Sequence, residues 1–229
     1  MREGDFVEIS YVARVKNGEV FDTTYEDVAK KEGIYKENAK YGPIPIIIGA
    51  GHVIKGLEKA LLSMQVGEEK VVEIRPEDAF GKRNSKLVKV FSTKAFKDMP
   101  KVGQAVNFNG VVGIVKSVSG GRVLVDFNHP LAGKTLEYKV KIERKLVEKK
   151  DRIDGLLRLH LPVKAKFTLS NDVVKIYLPD EAKKIATIFA IQEKIAKDML
   201  KYVEGIKEIQ FIYTYGKDER VKEEKKDKG

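Results

Sequence analysis

Residues able to do chemistry are few in this chain, and they are scattered. Gly49-Ala50-Gly51 followed by Gly56 suggests a phosphate cradle, since glycine amides can approach an oxyanion closely. The spacing is not G-x-G-x-x-G, and no Lys-Ser/Thr pair follows Gly56, so nucleotide binding is not expected. His52, His129 and His160 lie far apart along the chain, with no HExxH spacing and no paired carboxylate. That pattern supports neither a zinc site nor a catalytic triad. No serine elbow is present, and the chain has no cysteine, which excludes disulfides, thiolate catalysis and Cys-based zinc sites. What remains is an aromatic and branched set near strand ends: Tyr11, Phe21, Phe80 and Tyr138, with the pair Val53-Ile54. Taken singly, each reads as core, and periodicity does not show that they converge.

The elements that must position these residues follow from the patterning. A length of 229 residues with 42 % apolar and 34 % charged side chains suits one to two packed domains with a small insert. No apolar run approaches the 18 residues of a membrane span, and MREGDFVEIS is not an apolar signal segment, so the cytoplasm is expected. The net charge of +10 invites an acidic partner, but the signs are interleaved, as in Glu143-Arg144-Lys145. The pattern reads as a solvated mixed surface, with no specific nucleic acid and no membrane as partner. The sign-balanced run from Lys217 to Gly229 reads as a frayed, solubilising end.

Residues 5–15 alternate as a strand, Asn17-Gly18 is a hairpin turn, and Val20-Phe21 begin the return. A polar stretch over 23–40 holds one short helical possibility at 25–31. A strand at 44–48 precedes a helix carrying Val53, Leu57, Ala60, Leu61 and Met64, stopped by Gly67; another strand spans 70–75. Residues 84–127 form a compact block with two clear β runs at 110–117 and 122–127 and a formal charge of +5, from seven Lys/Arg against two Asp. One long strand follows around Leu136–Ile142. After a linking helix near 153–161, two alternating runs (163–169 and 174–178) precede a helix bearing Ile185 to Tyr202, with Asp180 as its cap, and a last strand at 209–213. This β-β-α-β unit is small enough that dimerisation through it is plausible.

Several motifs then fall into register. Val20-Phe-Asp22, the run Gly51-His-Val-Ile-Lys-Gly-Leu-Glu58, Met64-Gln-Val-Gly-Glu68 and Pro76-Glu-Asp-Ala-Phe-Gly81 resemble FKBP-type peptidyl-prolyl isomerases. Asn128-His-Pro-Leu-Ala-Gly-Lys-Thr-Leu136 is similar to the SlyD-like branch, which carries an insert-in-flap chaperone domain where 84–127 stands. The extension after 148 resembles that of long archaeal members. The resemblance implies an α+β fold: an antiparallel FKBP-like half-barrel wrapping a helix (1–83 and 128–148), an inserted small β-rich domain (84–127) and a C-terminal β-β-α-β domain (149–229) available for dimerisation.

It also implies a function, peptidyl-prolyl cis-trans isomerisation coupled to binding of unfolded chains; a non-catalytic holdase is the alternative. The catalytic set falls on Tyr11, Phe21, Asp22, Ile54, Phe80 and Tyr138. Substrate contacts fall on Ile44, Val53, Leu57, Leu131 and Ala132, and in the insert on Val90, Phe91, Phe96 and Met99. Three departures stand out. Leu57 occupies a floor position often held by Trp, Ile44 a wall position often held by Phe, and Phe80 the place of a Tyr whose hydroxyl would bond the ligand. No His-rich tail is present, so no metal and no cofactor are expected. The expected partners are polypeptides containing X-Pro bonds, and a second copy of the chain.

Overall fold

A computed structural model describes residues 1–215, so the charged run from Lys217 lies outside the described residues. The first strands and helices are β1 (Phe6–Val15), β2 (Val20–Thr23), α1 (Glu26–Lys31), β3 (Ile44–Ile47), α2 (Lys55–Leu62) and β4 (Glu69–Ile74). Four strands follow: β5 (Val88–Ser92), β6 (Ala105–Phe108), β7 (Val111–Ser119) and β8 (Arg122–Asp126). The last elements are β9 (Leu136–Lys145), α3 (Lys149–His160), β10 (Lys166–Ser170), β11 (Val173–Leu178), α4 (Ile188–Tyr202) and β12 (Glu208–Tyr213). The fold is the mixed α+β expected. No helix among the described residues is long and apolar enough to cross a membrane. Two compact units emerge, each assembled from separate stretches: 10–42 with 53–141, and 1–9 with 43–52 and the chain from 142 onward.

In the unit of 10–42 and 53–141, the later half of β1 pairs antiparallel with β2, joining Val12 to Thr23 and Ala13 to Asp22. The Asn17-Gly18 turn closes this hairpin because Asn17 accepts a φ of 57°, which its short polar side chain tolerates. β4 runs antiparallel to β9, setting Val72 opposite Tyr138 and Ile74 opposite Leu136. α2 buries Leu57 and Leu61, as the spacing predicts. Gly56 is required by proximity: a Cβ there would lie 2.3 Å from Cγ2 of Ile74. Beyond the 3-10 turn at Pro76–Asp78, the chain builds a second sheet in the order β5-β8-β7-β6. Its core is Val115, Val123 and Val125, with Phe91, Phe96 and Phe127 packed against them. Strand β6 was not foreseen; at four residues it is too short for a clear alternation.

In the other unit, the first half of β1 pairs with β3, Phe6 facing Ile47 and Ile9 facing Ile44. Leu146 donates its amide to the Phe6 carbonyl at 2.8 Å. The alternation of β1 predicts one polar face, yet Phe6 to Ile9 are all buried. Glu8, only 7 % exposed, is held by Arg144 (2.6 Å) and by Arg158, and a paired carboxylate can be buried at tolerable cost. The β-β-α-β order is present as β10, β11, α4 and β12. β11 and β12 are parallel, so a crossover is obligatory, and α4 supplies it. Val174, Ile176, Ile195 and Met199 share one core with Phe6, Ile47, Leu146 and Leu156. Asp180 does not cap α4. It opens a separate 3-10 turn (Asp180–Lys184) and pairs with Lys183 at 2.7 Å, while α4 begins after Thr187.

Candidate active site

Tyr11 sits on β1 beside the hairpin return, and its backbone is pinned on both sides. Its amide donates to Thr24 Oγ1 (2.8 Å), and its carbonyl accepts from Thr23 Oγ1 (2.9 Å) and the Thr24 amide (3.0 Å). Thr23 and Thr24 are buried, so these bonds form away from water and fix the strand position. The Tyr11 hydroxyl donates to Asp22 Oδ2 at 2.7 Å. Tyr138, on β9, places its ring 5.7 Å from that of Tyr11, tilted by 46°. Phe21 meets Tyr138 edge-on at 6.2 Å. Three rings distant in sequence therefore converge around one hydrogen-bonded carboxylate, within the range where aromatic pairs attract.

Burial pushes the Tyr138 hydroxyl up to about 12, with the Asp22 charge adding to it. Tyr11 is raised further, by burial first, then by the charge of Asp22 and the hydrogen bond to it. Both hydroxyls keep their protons at any physiological pH. They are donors beside Asp22, whose carboxylate is exposed.

Val53 and Ile54 are half-buried at the entry to α2, and Leu57, 1 % exposed, lies in its first turn. Ile54 is extended (φ −63°, ψ 149°), and its carbonyl accepts from Leu57 and Glu58. Its own amide meets no acceptor among the described residues. Phe80 follows the 3-10 turn and stacks face to face on His129, with centroids 4.2 Å apart and planes within 3°. The Asn128–Gly133 turn is tied to this place: Ala132 donates to the His129 carbonyl (2.9 Å), and Gly133 to the Gly81 carbonyl (2.8 Å). Leu131 and Ala132 thus belong to the segment bonded beside Phe80. Ile44 lies on β3 opposite Ile9, in the other unit.

In the second sheet, Phe91 stacks on Phe108 (4.2 Å), Phe96 meets Phe108 edge-on (5.3 Å), and Phe127 lies 6.0 Å from Phe91. All four phenylalanines stay only partly buried, while Val90 and Met99 are 60 % and 66 % exposed. Phe108, Phe127 and His129, outside the expected set, are the further rings in these contacts. Val106 and Phe108, spaced by two, were the available signal for the first.

The histidines also depart from expectation. His52 and His160 approach within 5.5 Å, and both point Nε2 at Asp198 Oδ2, at 3.4 and 3.0 Å. His52 Nδ1 accepts the Ile47 amide at 3.1 Å, so its neutral ring carries the proton on Nε2. The three ligand-type atoms lie within 4.8 Å of one another; His52 would have to give up its Nε2 proton to ligate a metal, and Lys194 already compensates Asp198 at 3.1 Å. Of the two rings, His160 makes the hydrogen bond to Asp198, and His52 Nε2 is buried without a hydrogen-bond partner among the described residues.

The family description FKBP-type peptidyl-prolyl cis-trans isomerase matches residues 1–143, and FKBP26_C-terminal matches 149–216. The chain is 38 % identical over 145 residues to the short-type peptidyl-prolyl cis-trans isomerase of Methanocaldococcus jannaschii, covering 62 % of this chain and 92 % of that one. It is 36 % identical over 115 residues to the FKBP-type peptidyl-prolyl cis-trans isomerase SlyD of Helicobacter pylori, covering 48 % of this chain and 62 % of that one. A solved structure, that of AtFKBP13, is matched with a TM-score of 0.35 at 20 % identity, covering 63 % of this chain and 82 % of that one.

Proposed function

Because this chain belongs to the FKBP-type peptidyl-prolyl cis-trans isomerase family, we propose that the rings of Tyr11, Phe21 and Tyr138 with Asp22 form its proline cup, and that the β5–β8 sheet holds unfolded chains for it. The X–Pro amide resists rotation with a barrier of about 18–20 kcal/mol, set by resonance. Twisting the bond removes resonance, so the carbonyl loses negative charge. An enclosure that solvates the planar amide poorly therefore favours the twisted form. The aromatic walls grip the pyrrolidine ring, and the unpartnered Ile54 amide, at the start of α2, is the donor for a client carbonyl. Val53 and Leu57 supply apolar lining from the same turn. No nucleophile or cofactor takes part. Each tenfold in rate requires about 1.4 kcal/mol, within reach of a few such contacts.

The convergence of three rings on the Tyr11–Asp22 bond is the observation that carries this reading. Protease-free cis/trans exchange on a short proline peptide tests it. Phe21→Ala and Asp22→Ala should each lower kcat/KM by about ten- to a hundredfold while suppression of client aggregation survives. A full rate in both variants removes the cup.

Chain binding is supported by Val90 and Met99, exposed beside the half-buried Phe91 and Phe96, with lysines around them. Tethering a client there raises its concentration at the cup. Deleting 85–126 should slow catalysis on an unfolded protein far more than on a short peptide, and equal losses would defeat this role. A cytoplasmic place and a homodimer through the β10–β12 region complete the reading; sedimentation of the full chain decides the dimer.

A further inference from the structure

A cavity of about 460 Å³ opens beside Phe80, bounded by Arg83, Lys116, His129, Ala132 and Lys134. Its charge is unbalanced. Asp126 is the acidic group in the lining, and both its oxygens are occupied: Arg83 Nη2 bonds one at 2.6 Å, and the Asn128 amide (2.9 Å) and side chain (2.7 Å) bond the other. Arg83 is thereby fixed in place with guanidinium N–H groups to spare. Lys116 and Lys134 form no ion pair among the described residues, leaving the lining with a formal charge of +2. His129 adds a donor: its Nδ1 accepts the Leu131 amide at 3.2 Å, which leaves Nε2–H to face a ligand. A fixed guanidinium, an imidazole N–H and two free ammonium groups around one cavity are the chemistry of an oxyanion receptor.

We propose that this cavity binds a client carboxylate, the side chain of a Glu or Asp close in sequence to the isomerised proline. The inference rests on the cup reading, because it is the placement that selects the occupant. One face of His129 covers Phe80, and Ala132, which the family resemblance assigns to substrate contact, belongs to the cavity wall. A client held at the Asn128–Gly133 turn would present its neighbouring side chains to this lining, and the positive charge there favours a carboxylate among them.

The test uses the full-length protein and two peptide series, identical except that Glu or Gln occupies each of the first few positions on either side of proline. Affinity is read by fluorescence anisotropy, and exchange is read separately. At one or two positions the Glu peptide should bind about five times more tightly than its Gln twin at low salt, and the advantage should fade as salt screens it. Charge reversal with Lys116→Glu and Lys134→Glu together should invert the preference. Equal affinities at every position overturn the proposal, as does a Glu preference that survives charge reversal. So does a cavity that takes inorganic phosphate yet ignores Glu. Loss of exchange on Gln peptides would instead count against the cup, and the affinity series judges the cavity independently of it.

Discussion

The bond from the Tyr11 hydroxyl to Asp22 ties the orientation of one ring to a carboxylate. Tyr11→Phe keeps the ring and removes the bond, so kcat/KM on a proline peptide should fall about three- to tenfold while stability changes little. Since burial holds both tyrosine hydroxyls protonated, turnover measured between about pH 6 and 9 should be flat. A rate that tracks a single titration in that window would require another group in the step. At this scale the sequence was partly legible. Phe21-Asp22 and Val53-Ile54 stood inside recognisable motifs. The Phe80–His129 stack did not show, because face-to-face contact across 49 positions leaves no periodic trace. The His52, His160 and Asp198 trio was hidden for the same reason.

Elements were legible where one local force decides them. The Asn17-Gly18 hairpin and α2 emerged near their expected bounds because turn chemistry and a single buried face are written in consecutive residues. Asp180 misled, since a good capping residue also suits a 3-10 turn when Lys183 is at hand to pair with it. Gly56 illustrates what spacing cannot convey: it looked like one member of a glycine motif, and it proves to be the point where α2 meets Ile74 on β4. Gly56→Ala improves helix propensity yet must push Ile74 aside, and we expect a net loss of about 1–3 kcal/mol in denaturant unfolding. A neutral or stabilising result would mean that helix and strand separate more readily than their packing implies.

For the molecule as a whole, acidity should act on the unit that holds His52, His160 and Asp198. Burial lowers both histidine pKa values, only partly opposed by Asp198. Below the ordinary histidine value the unfolded chain takes up protons that the folded chain refuses, so stability falls as pH drops from about 7 to 5. His52 has a further reason to resist, because a proton on Nδ1 would face the Ile47 amide it now accepts. The urea midpoint should therefore be lower at pH 5.5 than at 7.5, and His160→Gln should flatten that slope; an unchanged midpoint would refute it. Truncation after 148 should also be costly, because Phe6 and Ile47 share their core with Leu156, Val174 and Met199. The shortened chain should show exposed apolar surface by dye binding.

That shared core bears on how the chain comes into being. Residues 1–9 leave the ribosome long before the helices and strands after 142 that share a core with Phe6. Throughout that interval the leading strand has β3 to pair with but lacks most of the core around Phe6, and those final contacts close over a very long loop. The chain thus spends most of its own synthesis with that core still open.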